Sequence, residues 1–281
     1  MNYQQILDNA SGQLKFKKFK SPKLDAELIL AKTLDTCREK VLLNLNQEID
    51  NFDLERFYHY ISLRIQNKPI AYILKYKFFW KYKFFVNKNV LIPRPETELI
   101  LEKTFENLSV AANKKILEIG TGSGCIAISL IKERQKCRVV AIDKCPKAIK
   151  VAKKNAEIHH VEKKINFLNI DVDKYTSSKY DIILSNPPYI KDSELLSLDK
   201  DVKINEPKIA LSGGLSGLEI FFKIINRCKK LLKNNGMLIL EIGHKQSNDL
   251  KKYLKSKGFN QIKIYKDLSG KNRCIVSTKN Y

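Results

Sequence analysis

The segment Ser185-Asn186-Pro187-Pro188-Tyr189 carries the most specific chemistry in this sequence. The side-chain carbonyl of Asn186 and the main-chain carbonyl of Pro187 can accept the two N–H bonds of one planar NH2 group. The adjacent prolines stiffen the segment and remove two backbone donors, and Tyr189 offers a flat face on which a planar amide or base can stack. These residues predict a site that orients an amide or amino nitrogen; the alternative is a purely structural Pro-Pro turn.

A glycine-rich segment, Gly120-Thr121-Gly122-Ser123-Gly124, lies between a predicted strand and an apolar helix start. Glycines at such a turn can adopt positive φ and let a ligand approach the backbone. Asp143 ends the second predicted strand about twenty residues further on, where a carboxylate can accept hydrogen bonds from ribose hydroxyls. Because the spacing differs from the dinucleotide pattern G-x-G-x-x-G, the segment favours a nucleoside without a pyrophosphate; a tight structural turn is the alternative.

A third contact is expected at the end of the next strand, because the carboxyl ends of parallel strands open onto one crevice. Asp171 can accept a hydrogen bond from an adenine amino group, and Val172 can pack on the ring. Asp171 is alternatively a solvated loop carboxylate. Glu118, just before the glycines, could instead hold the turn through backbone hydrogen bonds.

Alternating strand-like and helix-like segments from Pro93 onward must position these residues, and they predict a doubly wound α/β sheet. The predicted strands are residues 115–118, 138–143, 165–170, 181–185, 237–242, 261–265 and 273–278. The predicted helices are residues 125–133, 146–159, 218–232 and 247–257. The last two strands have no helix between them, which indicates an antiparallel hairpin at the sheet edge.

The first part of the chain has a different pattern. Apolar residues recur at three- and four-residue steps in 24–34 and 54–65, and Ser21-Pro22 and residues 51–53 are typical of helix starts. Two short aromatic and β-branched runs within 76–91 predict a β-hairpin. The expected organisation is a helical bundle of residues 1–74, a hairpin linker of residues 75–91 and an α/β domain of residues 92–281.

The composition limits the partners and the location. The chain has 281 residues, 43% of them hydrophobic, and a formal net charge of +22. Such a charge can indicate a nucleic-acid partner, but arginines are few and the lysines are spread along the whole chain, which does not favour base readout. No apolar run of about 18 residues and no secretory signal pattern are present, so a cytoplasmic protein is expected.

No metal site is expected. The six cysteines contain no C-x-x-C pair, and the four histidines have no companion ligands at metal spacing. The cysteines are expected to be reduced and structural.

At these motifs the chain resembles the bacterial HemK/PrmC family, the protein-(glutamine-N5) methyltransferases of class 1 peptide-chain release factors. The resemblance covers nearly the whole chain. It rests on Pro69-Ile70-Ala71-Tyr72-Ile73, Leu91-Ile92-Pro93-Arg94-Pro95-Glu96-Thr97-Glu98, the glycine-rich turn, Asn186 to Tyr189, and Glu206-Pro207 to Gly217-Leu218. The chain departs from the family pattern at Ala71, where Gln is usual, at Lys75, where Gly is usual, and near Val172, where an aromatic residue is common.

The resemblance implies a class I S-adenosylmethionine-dependent methyltransferase fold, Rossmann-like with a mostly parallel seven-stranded sheet. It implies that S-adenosyl-L-methionine contacts residues 120–124, Asp143, Asp171, Val172 and Asn186. Asn186 and Pro187 would be the catalytic residues, and residues 186–189 would hold the glutamine of the release factor's Gly-Gly-Gln motif. Because a sulfonium methyl group is an activated electrophile, in-line positioning can suffice without a general base.

Three alternatives remain at this point. Relatives that methylate a glutamine of a large-subunit ribosomal protein carry a Pro-Arg-Ser-Pro type segment where this chain has Pro93-Arg94-Pro95-Glu96-Thr97. Adenine-specific DNA methyltransferases share Asn-Pro-Pro-Tyr but normally have a target-reading region after it, and here the remaining predicted elements use those residues. The charge of +22 suggests a non-catalytic RNA-binding protein, against which stand the intact Gly120, Asp143 and Asn186.

Overall fold

The chain divides into two units in the computed structural model, which describes residues 1–176 and 179–279. The first unit comprises Met1–Tyr76 and Asp199–Asn205, and the second comprises Lys77–Leu198 and Glu206–Tyr281.

Helices form the first unit, as predicted. They are α1 (Tyr3–Phe16), α2 (Pro22–Thr33), α3 (Arg38–Leu43), α4 (Asn51–Ile65) and α5 (Ile70–Leu74). The start of α1 is a capping box, in which Asn2 and Gln5 each accept the other's backbone N–H at 3.0 Å. Asp50 caps α4 by accepting the N–H of Asp53 at 2.8 Å.

An ion pair between two helices is buried inside this bundle. The Arg64 Nε atom on α4 lies 2.7 Å from the Asp25 carboxylate on α2. The same guanidinium lies 3.7 Å from the Asp201 carboxylate, and the side-chain amide of Asn205 donates to the Asn67 carbonyl at 2.9 Å. Asp199–Asn205 therefore has its polar partners in the first unit, whereas the sequence had placed it in the α/β domain.

Helix α5 ends at Lys75, which has a φ of +68°. A side chain in this left-handed region is strained, and Gly is not. The conformation accounts for the Gly that is usual at this position in the resembled family.

The remaining elements belong to the second unit, except for the helix within Asp199–Asn205, which belongs to the first. They are β1 (Tyr76–Phe79), β2 (Tyr82–Phe85), α6 (Glu98–Glu106), β3 (Lys115–Ile119), α7 (Cys125–Glu133), β4 (Arg138–Asp143), α8 (Pro146–Ile158), β5 (Ile165–Asn169), β6 (Tyr180–Ser185), β7 (Ile190–Lys191), α9 (Lys200–Asn205), β8 (Ser212–Gly214), α10 (Glu219–Leu231), β9 (Leu232–Glu241), α11 (Ser247–Ser256), β10 (Phe259–Lys266) and β11 (Asn272–Lys279).

Seven of these strands form one sheet in the order β10-β11-β9-β6-β3-β4-β5. The five strands from β9 to β5 are parallel, and β11 is antiparallel to both β9 and β10. Helices α6, α7 and α8 contribute to one buried apolar cluster with the sheet, and α10 and α11 contribute to another. The predicted doubly wound sheet and its terminal antiparallel hairpin are confirmed.

The hairpin β1-β2 differs from the expected linker, because its side chains belong to the second unit. Phe79 and Phe84 are buried in the cluster formed with α6, α7 and α8. Glu133 at the end of α7 accepts hydrogen bonds from the Trp80 indole N–H at 3.1 Å and from the Tyr82 hydroxyl at 3.0 Å. The hairpin is thus a packed part of this unit.

The sequence did not predict α6, α9 or the small parallel pair β7-β8. Strand β9 also begins five residues before its predicted start, at Leu232, which pairs with Tyr180 of β6. No helix within residues 1–176 and 179–279 is long and apolar enough to cross a membrane. The same ranges hold no group of three or more His, Cys, Asp or Glu side chains that could bind a metal ion.

Candidate active site

A cavity lies at the carboxyl ends of β3, β4, β5 and β6, the crevice in which open α/β sheets bind ligands. Most of the residues singled out from the sequence line it: Gly120, Thr121, Gly122, Ser123, Asp143, Asp171, Val172, Asn186, Pro187 and Pro188. The fold therefore brings the predicted nucleoside-binding and acceptor-binding residues to one place.

The glycine-rich turn joins β3 to α7 and has a left-handed backbone at each glycine. The φ angles are +76° at Gly120, +55° at Gly122 and +81° at Gly124. A Cβ atom on Gly124 would lie 3.1 Å from Ile128 Cδ1 and 3.2 Å from Ala152 Cβ, so this glycine allows α7 to pack closely on α8. A Cβ atom on Gly122 would meet nothing within 4 Å.

Asp143 at the end of β4 is tied to the turn and to the start of α8. Its Oδ2 atom accepts the N–H of Gly122 at 2.9 Å, and its Oδ1 atom accepts the N–H of Cys145 at 2.8 Å. Burial raises the pKa of Asp143, and these two hydrogen bonds oppose the rise. Each carboxylate oxygen has a further lone pair, so the group retains the capacity to accept from ribose hydroxyls.

Glu118 at the end of β3 is 1% exposed. Its Oε2 atom accepts the Thr121 hydroxyl at 2.6 Å, while Oε1 has no hydrogen-bond partner among the described residues. Burial raises the pKa of Glu118 to about 8. Glu118 therefore holds the turn as a buried residue, through its side-chain hydrogen bond with Thr121.

Asp171 and Val172 follow β5. Asp171 is half-buried, and its Oδ1 atom accepts the N–H of Asp173 at 3.0 Å, so one carboxylate oxygen holds its own loop. Val172 is half-buried against the apolar cluster that contains α10. Both line the cavity, and their contact with an adenine ring stays a prediction.

Asn186 follows β6 and is half-buried at the cavity wall. Its Nδ2 atom donates to the Thr97 hydroxyl oxygen at 3.0 Å. Thr97 in turn donates to Oε2 of Glu241 at 2.6 Å. With Nδ2 engaged in this way, the Asn186 carbonyl oxygen is available as an acceptor.

Two of the predicted residues, Gly124 and Tyr189, are not among the described residues of the cavity wall. Gly124 is held at the start of α7 by the close packing described above. The Tyr189 hydroxyl donates to Oε1 of Glu241 at 3.1 Å and lies 3.3 Å from Arg273 Nη1, and its ring packs against the α10 cluster. The half-buried ring is thus packed partly against the protein, and its stacking on a planar amide or base stays a prediction.

A buried carboxylate also joins two segments of the cavity wall. Glu206, which is 5% exposed, accepts the backbone N–H of Ile92 at 3.1 Å and forms an ion pair with Arg94. Pro207, the next residue, and Arg94 line the cavity. These two contacts hold Pro93 and Arg94 against the segment that begins at Glu206.

Sequence reasoning assigned no role to Thr97, Glu206 or Glu241. Thr97 and Glu206 lie in segments that contributed only to the family resemblance. Glu241 was hidden inside a predicted strand, although an acidic residue at the end of an apolar strand is a signal for a site at that edge. Its position became evident only from the pairing of Ser185 with Leu240, which places Asn186 and Glu241 on neighbouring strand ends.

Two family models match the chain. The PrmC N-terminal domain matches residues 5–74, and the methyltransferase small domain matches residues 96–212. The first range lies in the helical unit, and the second contains the glycine-rich turn, Asp143 and Asn186.

Curated relatives match along nearly the whole chain. The release factor glutamine methyltransferase of Buchnera aphidicola subsp. Baizongia pistaciae is 35% identical over 279 residues, covering 99% of this chain and 100% of the relative. The bifunctional methyltransferase of Rickettsia typhi is 36% identical over 290 residues, covering 96% of this chain but 56% of the relative. The chain thus spans little more than half the length of this second relative.

Solved structures share the fold. A crystal structure of a methyltransferase from Pyrococcus furiosus superposes with a TM-score of 0.55 at 19% identity, covering 78% of this chain and 98% of that one. The predicted methyltransferase fold is confirmed.

Proposed function

The chain belongs to the family of release factor glutamine methyltransferases, and from that premise we propose the reaction it catalyses. It transfers a methyl group from S-adenosyl-L-methionine to the side-chain amide nitrogen of the glutamine in the Gly-Gly-Gln motif of class 1 peptide-chain release factors. The observation that carries the proposal is the Asn186 amide, which lies at the cavity wall with Nδ2 bound to Thr97 and its carbonyl oxygen available.

The residues of the cavity fit the cofactor. The left-handed glycines at 120 and 122 leave space beside the turn, where the side chain of any other residue would project. Asp143 would accept from the ribose hydroxyls, and Asp171 and Val172 would contact the adenine. When bound, the cofactor supplies an activated methyl group on a sulfonium.

The acceptor glutamine would present its NH2 group to two carbonyls, the side-chain oxygen of Asn186 and the main-chain oxygen of Pro187. Pro187 and Pro188 have no backbone N–H, so neither proline supplies a donor that could occupy these oxygens in place of the substrate NH2 group. The two hydrogen bonds fix the direction of the nitrogen toward the methyl group and draw its lone pair out of amide resonance. Such positioning would be a sufficient source of catalysis for this transfer, and the surplus proton of the methylated amide would pass to solvent water.

The first unit would contact the body of the release factor at a distance from the tip, and the reaction would take place in the cytoplasm, where release factors act. Two of the alternatives share the planar-nitrogen chemistry: glutamine methylation of a large-subunit ribosomal protein and adenine methylation of duplex DNA. The sequence similarity to release factor glutamine methyltransferases over whole chains favours the release factor.

One mixing experiment separates these activities. The purified protein is incubated with radiolabelled S-adenosylmethionine and with release factor, ribosomes, duplex DNA or RNA in separate reactions. Label is expected on the release factor glutamine alone. Asn186→Ala should lower the rate on the order of a hundredfold or more, since one positioned group is lost. Label on ribosomal protein or DNA with none on release factor would replace the proposal, and RNA binding without any transfer would favour a non-catalytic protein.

A further inference from the structure

A chain of hydrogen bonds leads from the cavity wall to a buried carboxyl group. Asn186 donates to Thr97 at 3.0 Å, and Thr97 donates to Glu241 at 2.6 Å. Thr97 is 3% exposed and Glu241 is 2% exposed, so water has little access to either link.

Burial raises the pKa of Glu241, while the hydrogen bonds from Thr97 and Tyr189 and the charge of Arg273 favour its ionised form. The donors and acceptors along this chain have only one consistent arrangement when Glu241 is ionised. A carboxylate can only accept, so the single hydroxyl proton of Thr97 points to Glu241. The Thr97 oxygen must then accept from its other neighbour, and the Asn186 side chain can offer a proton only through Nδ2. The amide is held with its NH2 group toward Thr97 and its oxygen directed elsewhere.

Thr97 precedes α6 with φ −68° and ψ −22°, a helical conformation and not the extended one in which an N-cap hydroxyl accepts a backbone N–H of the first turn. Its side chain makes no capping hydrogen bond here. The hydroxyl is committed to Glu241 and Asn186 instead.

The same carboxyl also holds the other end of the acceptor segment. Oε1 of Glu241 accepts the Tyr189 hydroxyl at 3.1 Å, and Arg273 Nη1 donates to the oxygen of that hydroxyl at 3.3 Å. One side chain on β9 therefore fixes both the first and the last residue of Asn186–Tyr189, which follows the neighbouring strand β6.

We propose that Glu241, acting through Thr97, is the positioning residue that holds the Asn186 oxygen toward the methyl acceptor. The inference rests on the proposed function, because it assigns the cause of the Asn186 orientation that the reaction requires. A flipped amide would direct the Asn186 NH2 group at the NH2 group of the substrate, and two donors cannot bind each other.

The variant Thr97→Val tests this link, since valine keeps the shape of threonine and removes the hydroxyl. We expect kcat for release factor to fall roughly ten- to a hundredfold, less than the loss of about a hundredfold or more for a group that contacts the reacting atoms directly, with KM and cofactor affinity nearly unchanged. Thr97→Ser retains the hydroxyl and should recover kcat to within a few-fold of the wild type. The glutamine in Glu241→Gln can either donate to Thr97 or accept from it, so it no longer fixes the direction of the hydrogen bonds. This variant should lower kcat in the same way.

The side-chain amide signals of Asn186 in a 1H–15N spectrum, assigned with Asn186→Asp, give a readout that needs no substrate. They should move in Thr97→Val and stay near the wild-type position in Thr97→Ser. Unchanged amide signals and unchanged kcat in Thr97→Val would overturn the inference, as would equal losses in the Val and Ser variants. An inactive wild type on release factor would instead count against the proposed function, so the two failures are distinguishable.

Discussion

The backbone N–H of Gly122 donates to the Asp143 carboxylate at 2.9 Å. This bond links the glycine-rich turn after β3 to the end of the adjacent strand β4. The carboxylate proposed to bind the ribose therefore also shapes the turn against which the cofactor lies.

Asp143→Ala should weaken S-adenosylmethionine binding by about 1.5–3 kcal/mol, the range for losing hydrogen bonds to a charged group. The fold should persist, because the β4 backbone pairing does not involve the side chain. Isothermal calorimetry measures the affinity, with Asp249→Asn, an exposed carboxylate on α11, as the control. An unchanged affinity in Asp143→Ala would mean that the ribose binds elsewhere.

Gly124→Ala and Gly122→Ala should separate stability from cofactor binding. Both would place a side chain at positive φ, at a cost of roughly 1–2 kcal/mol. Only the Gly124 Cβ atom would also press on Ile128 and Ala152. Thermal unfolding should therefore show the larger loss for Gly124→Ala, while calorimetry should show the larger loss of cofactor affinity for Gly122→Ala, which lines the cavity. The reverse order would contradict the packing described for α7.

The ionisation of Glu118 should make stability depend on pH. Burial raises its pKa from 4.5 to about 8 in the folded protein. Below pH 4.5 the group is neutral in both states, and as pH rises toward 8 the unfolded state ionises first. The free energy of unfolding should therefore fall across this window and level off above it.

Urea unfolding at several pH values between the two limits measures this dependence. Burial shifts the pKa of Asp143 and of Glu241 in the same direction, so the difference between wild type and Glu118→Gln isolates the Glu118 contribution. The exposed Glu102→Gln is the control and should keep the wild-type slope. An identical slope in Glu118→Gln would show that Glu118 does not carry the effect.

Lys75→Gly should stabilise the first unit. The left-handed cost of a side chain exceeds the extra chain entropy that glycine loses, so the free energy of unfolding should rise by roughly 0.5–1 kcal/mol. Glu55→Gly, at an exposed position within α4, should instead lower it by about 1 kcal/mol. Denaturant unfolding that shows a loss for both variants would contradict the strain assigned to Lys75.

A short Gly-Gly-Gln peptide should be a poor methyl acceptor compared with the folded release factor. Binding energy from remote parts of a substrate is used to orient the reacting group, and a peptide offers only the tip. We expect kcat/KM to be on the order of a hundredfold lower for the peptide. Mass spectrometry of the glutamine measures both reactions, with a release factor that has Glu in place of that Gln as the blank. Equal kcat/KM values would remove any role for contacts beyond the tip.

The sequence predicted most of this sheet because its signals are local. An apolar run followed by glycines or by a single carboxylate, as at Glu118–Gly124 and Asp143, locates a strand end without knowledge of its neighbours. Helix α7 was predicted to the residue, since Gly124 and the apolar residues after it define its start.

What the sequence could not predict depends on which strands are neighbours. Thr97 and Glu241 are separated by 144 residues, and only the parallel pairing of β6 with β9 brings Glu241 beside Asn186. The contacts of the Tyr189 hydroxyl with Glu241 and Arg273 depend on the same long-range pairing. The assignment of Asp199–Asn205 to the helical unit depends on Arg64 and Asn67, to which no local pattern points.

That assignment also limits how this architecture can be rearranged. The helical unit is not one continuous stretch, because Asp199–Asn205 returns to it from within the second unit. A recombination event or a designed graft that exchanged only Met1–Tyr76 would pair a foreign bundle with the native α9 and leave Asp201 without Arg64. Modular exchange between homologous enzymes would therefore require both segments to be exchanged together, through three crossovers, and chimaeras that carry both pieces together should be the ones that fold.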